Sequence, residues 1–200
     1  DILENINRFR KGAIKVVRMI LPMADVIADE IIDYLGVQAD KLGSLRRRLA
    51  TIGDIDLAVA TNDPQKIITR FINYPKKVSL IEQGPTGASI LLASGRQADL
   101  RVAKPSQYGA MLQYFTGSKY HNIRLRELAL KKHLSLNEYG INGKSFKTEK
   151  DLYNYLGLDY IPPELREDNG EIEASLNHKL PNLVKLNQIK GDLQIHSNFD

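Results

Sequence analysis

Gly43-Ser44-Leu45-Arg46-Arg47-Arg48-Leu49-Ala50-Thr51-Ile52-Gly53-Asp54-Ile55-Asp56-Leu57-Ala58-Val59-Ala60-Thr61 joins a Gly-Ser turn, an arginine triplet and a run of alternating polar and aliphatic residues. The alternation predicts a strand over 54–60, with Asp54 and Asp56 on one face and Ile55, Leu57 and Val59 on the other, toward a core. Two carboxylates side by side repel, and each favours its protonated form. A divalent cation between them removes that repulsion, and hard oxygen ligands suit magnesium. Upstream, Gly43 and Ser44 offer backbone N–H groups and a hydroxyl, and the arginines offer cationic forks, as a phosphate group requires. The stretch reads as a metal-and-triphosphate site.

Working outward, residues 1–36 read as helix, with Ile2, Ile6 and Phe9 and then Met23, Val26, Ile27, Ile31 and Leu35 at helical spacing. Pro22 opens or kinks the second part, and Gly36 stands where a C-terminal cap belongs. A short strand is expected over 37–42. Asn62-Asp63-Pro64 predicts a helix start, with Ile67, Ile68 and Phe71 as the buried stripe. Strands follow over 78–82, 88–93 and 97–103, the last two forming a hairpin around Ser94-Gly95. In the last strand Gln97, Asp99 and Arg101 alternate with Ala98, Leu100 and Val102. Asp99 is then a third carboxylate on a sheet face. Two aspartates on one strand and a third on a neighbour suffice to hold two metal ions.

From Gln107 onward the chain reads as helical and basic, which marks a subdomain boundary. Tyr108, Met111, Leu112 and Phe115 form the stripe of a helix that stops at Thr116-Gly117, and Ser118 caps the next helix. Leu134, Leu136 and Tyr139 suggest strand, followed by an Asn142-Gly143 turn. Thr148 and Asp151 form a capping-box pattern, with Leu152 and Tyr155 expected in the core. Pro162-Pro163 then opens an extended tail.

Composition narrows the class. The 200 residues are 42% hydrophobic, enough for one domain or two small subdomains with a real core. A net charge of +4 and a pI of about 9.1 permit a nucleic-acid partner without demanding one. The absence of cysteine excludes disulfides, thiolate catalysis and zinc–thiolate sites. No apolar run is long enough to span a membrane, and the chain reads as soluble and cytoplasmic. It starts at Asp1 and breaks off within a motif at Asp200, as a piece of a longer protein would.

Each constellation has a plainer reading. An Asp-x-Asp pair alone occurs on many solvated strand faces; Gly43-Ser44, Gly53 and Asp99 at matching positions are what raise it above that. Arg46 to Arg48 could simply be a solvated turn, with Arg46 and Arg48 as surface or DNA-backbone contacts. Tyr114 and Phe115 either end a packed helix or leave a ring face for a sugar beside Gly117, where a missing side chain admits a ligand. Arg124 and Arg126 fit a solvated face or a DNA-facing one. His121 and His178 stand alone, as surface or core histidines do.

These residues resemble the family X DNA polymerases. Gly-Ser-Leu-Arg-Arg (43–47) with Gly-Asp-Ile-Asp (53–56) is similar to the family's nucleotidyltransferase signature. Ala-Asp-Leu-Arg-Val (98–102) is similar to the motif of the third catalytic aspartate. Tyr-Phe-Thr-Gly-Ser (114–118), the most specific of these, is similar to the family's nucleotide-selection motif, and Asn137-Glu138-Tyr139 also fits. The resemblance implies an α+β fold: a nucleotidyltransferase-type palm with a mixed or antiparallel sheet and flanking helices, followed by a small α+β thumb. It divides the chain into a helical remnant of the fingers (1–21), palm (22–106), thumb (107–170), and a linker with the start of a further domain (171–200). It also implies transfer of a deoxynucleotide from dNTP to a primer 3′-hydroxyl on gapped DNA, as in repair, by a monomer with two magnesium ions, or manganese in their place.

Carried over residue by residue, the resemblance makes Asp54, Asp56 and Asp99 the catalytic metal ligands. Gly43, Ser44, Arg47 and Gly53 would hold the triphosphate; Tyr114, Phe115, Gly117 and Asn122 would shape the sugar and base pocket. Arg101, Arg124, Arg126 and Tyr139 would face DNA. The tail, Tyr160 to Ala174 and then Gly-Asp-Leu-Gln-Ile-His-Ser (191–197), resembles the bacterial form, in which a metal-dependent phosphoesterase domain of the PHP type follows. That domain usually opens His-x-His, and Gln194 stands at the first position here, leaving His196. Two more departures are Gln97, where polymerase beta has an arginine, and Lys119, where an acidic residue is usual.

Overall fold

The computed structural model describes residues 18–191. The helix expected around Ile2, Ile6 and Phe9, and the motif containing Gln194 and His196, lie outside the described residues. Two hydrophobic cores organise the rest.

The first core lies under a five-stranded mixed sheet. A short strand β1 (Met19–Ile20) leads into helix α1 (Leu21–Leu35), which has Pro22 in its first turn. The helix ends at Gly36, whose φ of 62° is the left-handed value that glycine adopts freely. Its buried face is Ala24, Ala28, Ile31 and Leu35, while Met23 and Val26 are exposed. The true stripe is thus rotated about one residue from the one that the large aliphatics trace. Small alanines, which let a helix backbone approach its neighbours closely, define it instead.

β2 (Asp40–Lys41) is shorter than expected and precedes α2 (Gly43–Arg46), a single helical turn. β3 (Thr51–Ile52) pairs with β1, and a bend at Gly53-Asp54 leads into β4 (Ile55–Ala60). In α3 (Pro64–Ile72) the Asp63 side chain accepts from Lys66 N–H at 3.2 Å, and Ile67, Ile68 and Phe71 are buried, as predicted. β5 (Lys77–Gly84), β6 (Gly87–Leu92) and β7 (Gln97–Ala103) complete the sheet in the order β2-β4-β7-β6-β5. Only β4 and β7 run parallel; the other pairings are antiparallel. Leu57, Ile90 and Leu100 bury one face with α1 and α3. By strict alternation the other face carries Asp56 and Asp99.

α4 (Tyr108–Thr116) packs onto that second face through Met111 and Leu112, against Leu42 and Ala58. It also opens the second core, with α5 (Lys119–Lys131), the hairpin β8 (Leu136–Asn137) and β9 (Gly140–Ile141), and α6 (Glu149–Tyr155). Gly109 lies so close to the Thr148 backbone that any Cβ would overlap it. Asn142 and Gly143 both have positive φ, as a tight primed turn requires. Leu152 is buried as expected, but Tyr153, not Tyr155, is its aromatic partner in the core. Pro162-Pro163 does not begin an extended tail. A 3₁₀ turn (Pro163–Leu165) delivers the fully buried Arg166, and α7 (Glu171–Leu176) sinks Ile172 into the second core. The second core therefore runs past residue 170, where a linker is expected from sequence. No helix of the described residues is long and apolar enough to cross a membrane.

His121 is a core histidine of this second unit, fully buried between α5, α6 and α7. Its Nδ1 lies 2.6 Å from Glu171 Oε1 and its Nε2 lies 2.9 Å from the Tyr153 hydroxyl. Burial, helped by the nearby Arg166 guanidinium, holds its pKa below the usual 6.5 despite Glu171 and Asp168. Burial also raises the Tyr153 pKa, so that hydroxyl keeps its proton. The consistent assignment is a neutral ring whose Nδ1–H donates to Glu171 while Nε2 accepts from Tyr153. The Glu171 carboxylate also accepts from the backbone N–H groups of Asp168 and Asn169.

Below pH 6.5 the unfolded chain therefore binds a proton at this histidine that the folded chain does not, so acidification destabilises the second unit. Glu149 and Glu171, both held below their usual 4.5, act in the same direction at lower pH. An NMR titration should give His121 a midpoint below 6.5, with amide protection in α5 and α6 falling as the pH drops through that region. A midpoint at or above 6.5 contradicts the neutral, buried ring.

Candidate active site

The parallel pairing of β4 with β7 sets Asp56 directly beside Asp99. Neighbouring strands lie about 4.8 Å apart, so two carboxylates on one face at this register are forced into each other's field. Burial first, and then Asp99 and Asp54, push the Asp56 carboxyl up to about 7, with Arg101 and Arg47 offsetting part of the effect. The Asp54 carboxyl is also raised, by burial and by Asp99. Asp54 is not part of β4, however. It is exposed in the bend before the strand, since Gly53 interrupts the extended backbone there.

Asp99 is held from the opposite side. It accepts the Ser89 hydroxyl proton at Oδ1, and Gln97 Nε2 lies 3.0 and 3.1 Å from its two oxygens. Among the described residues no three carboxylate or imidazole side chains are already gathered as a metal-binding cluster. The donor set still suits a hard divalent cation. All three groups offer oxygen, and the mutual repulsion felt at Asp56 is what a cation would relieve.

The turn α2 closes over this pair. Gly43 has a φ of 54°, and a Cβ there would overlap the Asp56 carboxylate, so only glycine lets the turn sit so close. Ser44 is partly buried on the same turn. Gly53 has a less stringent role: a Cβ would meet only Arg18 Nη1, at 3.4 Å. The arginine triplet diverges. Arg48 is exposed. Arg47 Nε pairs with Glu167 Oε1 at 2.5 Å, and its Nη1 donates to the Thr116 carbonyl at 2.5 Å. Arg46 reaches Thr116 Oγ1 at 2.6 Å and forks onto Glu149 at 2.5 and 3.0 Å. Arg46 is therefore no surface or DNA-backbone contact but a bridge between the two cores.

Glu149 is the residue that sequence reasoning misses. Its oxygens take Arg46 from the first unit and Arg166 Nη1, at 2.7 Å, from the second. Arg166 also donates from Nε to the Ile161 carbonyl and lies over the rings of Tyr153 and Tyr160, while its Nη2 has no hydrogen-bond partner among the described residues. In sequence Glu149 is one acidic residue in a helix's first turn, a commonplace position.

Tyr114 and Phe115 meet edge to face, with ring centroids 5.1 Å apart, and Gly117 follows at a φ of 71°. The Gly117–Ser118 peptide is cis. A Cβ on Gly117 would stand 3.2 Å from Arg47 Nη1, so the bend and the arginine occupy one corner. Arg101 lies over the Phe115 ring at 5.1 Å, and both line a cavity of about 250 Å³ that also takes in Lys104, Glu138 and Tyr139. Asn122 uses its amide inside the protein: Nδ2 donates to the Tyr114 carbonyl at 2.7 Å, and Oδ1 accepts from Gln113 at 2.8 Å.

Of the residues expected to face DNA, Arg124 is occupied by Glu127, Asp168 and Glu173 at 3.1–3.4 Å. Arg126 is exposed and, among the described residues, pairs with no carboxylate; its Nε lies 3.3 Å from the Asn122 carbonyl. Tyr139 is half exposed at the β8–β9 turn.

Residues 111–167 match a family model described as DNA polymerase beta thumb. The chain is 34% identical over 186 residues to the DNA polymerase/3'-5' exonuclease PolX of Bacillus subtilis, covering 86% of this chain and 32% of that protein. This chain belongs to the family X DNA polymerases. Further family X relatives are DNA polymerase lambda of Rattus norvegicus, 30% identical over 159 residues (62% of this chain, 28% of that protein), and DNA-directed DNA/RNA polymerase mu of Homo sapiens, 40% identical over 77 residues (35% and 16%). The chain spans about a third or less of the length of these relatives. The family X match to the thumb begins inside α4 and ends at Glu167, the partner of Arg47.

Proposed function

We propose that this chain is the nucleotidyl-transfer core of a DNA-directed DNA polymerase that fills gaps during repair. The observation that carries the reading is the in-register pair Asp56–Asp99 under the Gly43 turn, with the Tyr114–Gly117 bend at the next corner. In the reaction the primer 3′-oxygen bonds to the α-phosphorus of dNTP, the bond to the bridging oxygen breaks, and pyrophosphate leaves. Asp54, Asp56 and Asp99 would hold two magnesium or manganese ions, which when bound lower the pKa of the primer hydroxyl and neutralise the triphosphate.

Gly43, Ser44 and Gly53 would offer the phosphates a hydroxyl and backbone N–H groups. Arg47 would join them on leaving Glu167 and the Thr116 carbonyl, a part-buried pairing that a triphosphate, with its higher charge, can outcompete. Tyr114, Phe115 and Gly117 would bound the sugar and disfavour a 2′-hydroxyl, while Asn122 would hold the bend in shape. Arg101, Arg126 and Tyr139 are the better DNA contacts; Arg124 would have to leave three carboxylates. The palm would span 22–106 and the thumb 107–170, with Met19 joining the first core and Ile172 the second from outside those bounds, and the chain from 171 onward would lead to a PHP-type domain in a bacterial, cytoplasmic protein. The chain would act as a monomer.

Extension of a labelled primer on templates that differ in one base tests the reading. A product that tracks the template supports it. A product indifferent to the template, or activity confined to RNA ends or small molecules, replaces it with another nucleotidyltransferase. Binding of gapped DNA with no product replaces it with a DNA-binding module.

A further inference from the structure

Ser89 lies in β6 between the core residues Ala88 and Ile90 and is itself nearly buried. The antiparallel register places it directly opposite Asp99, on the side away from Asp56. Gln97 precedes Asp99 by two residues on β7 and so shares its face. The two side chains converge on one carboxylate: the Ser89 hydroxyl at Oδ1, and Gln97 Nε2 at 3.0 Å from Oδ1 and 3.1 Å from Oδ2. Asp99 is therefore held from one flank and repelled from the other, where Asp56 stands.

We propose that Ser89 and Gln97 are positioning residues that fix the Asp99 carboxylate beside Asp56 so that the aspartates can take a divalent cation. The proposal rests on the nucleotidyl-transfer reading of Asp99. Both donors are neutral. They orient the carboxylate by hydrogen bonds alone and leave its charge in place. Without them the Asp99 carboxylate would be free to turn among rotamers, since among the described residues no other side chain donates to it. Residues that orient a metal ligand without touching the metal usually matter about 10- to 100-fold for affinity or activity.

The test compares the full chain with Ser89→Ala, Ser89→Thr and Gln97→Ala. Three readouts are taken: Mn²⁺ binding to the protein alone by electron paramagnetic resonance, kcat and KM for a single-nucleotide gap, and thermal melting. Ser89→Ala should weaken Mn²⁺ binding and lower kcat, each by about 10-fold, while KM for the nucleotide stays within about 2-fold. Ser89→Thr, which keeps the hydroxyl, should restore both, and Gln97→Ala should show the same pattern more weakly.

A merely structural role would lower the melting temperature and leave Mn²⁺ affinity of the folded protein unchanged; that result overturns the proposal. So does a wild-type chain that binds no Mn²⁺. A wild-type chain that binds Mn²⁺ but extends no primer refutes the polymerase reading, while the Mn²⁺ comparison between wild type and Ser89→Ala still decides the role of Ser89.

Discussion

Asp56→Asn should abolish nucleotide incorporation, by at least about 1,000-fold, and leave the protein as stable as wild type or more so. The activity loss follows from removing a charge that a divalent cation needs. The stability result follows from the same charge being unwelcome in its absence. Burial, Asp99 and Asp54 all disfavour the ionised Asp56 side chain, and no side-chain hydrogen bond offsets them among the described residues. Asparagine keeps the volume and removes the repulsion, at the cost of the attraction to Arg101 and Arg47.

Asp99→Asn should be equally inactive but less stable, by about 1 kcal/mol. There the carboxylate accepts from both Ser89 and Gln97, and an amide would turn an N–H donor toward one of them. Melting curves and single-turnover incorporation on the two variants check the pair. Equal destabilisation by both would show that Asp56 is not held against repulsion.

Glu149→Ala should be the most destabilising single change in the described structure. It strips the shared anion from Arg46 and Arg166, and Arg166 has no exposure through which to recover solvation. Breaking a buried pair in this way costs about 3–5 kcal/mol, because a charge is left buried without its partner. For a chain of this length that is a fall in Tm of roughly 10 °C. The damage should be greatest between the units, since Arg46 belongs to the turn beneath the sheet and Glu149 to the helix beyond it. Glu149→Gln, which retains shape but not charge, should recover only part of the loss. A wild-type Tm for Glu149→Ala would mean that the Arg46–Glu149–Arg166 bridge holds nothing together.

What is legible in the sequence is whatever a local rule can write. The alternation through Ile55 and Leu57 specifies β4, Asp63-Pro64 a helix start, and Gln97 to Ala103 a strand with Asp99 on the proper face. The parallel pairing that sets Asp56 against Asp99 is a long-range fact, and no spacing within either strand specifies it. The same limit applies to Glu149 and Arg166, whose pairing joins helix α6 to a turn that reads as an extended tail. Charge misleads where partners are distant: Arg46 and Arg124 look free on a helical wheel, yet Glu149 claims one, and Asp168 and Glu173 share the other. Asp54 shows the opposite error. Alternation places it inside a strand, but the bend at Gly53-Asp54 leaves it just outside and exposed.

On the proposed function, this face of the sheet performs templated nucleotidyl transfer. The most direct test is single-nucleotide incorporation by the wild-type chain across a one-nucleotide gap, with each of the four dNTPs in turn and with Mg²⁺ or Mn²⁺. The expected result is incorporation of the complementary nucleotide, dependent on the metal and lost in Asp56→Asn. Incorporation that ignores the template base, or that survives intact in Asp56→Asn, would contradict it.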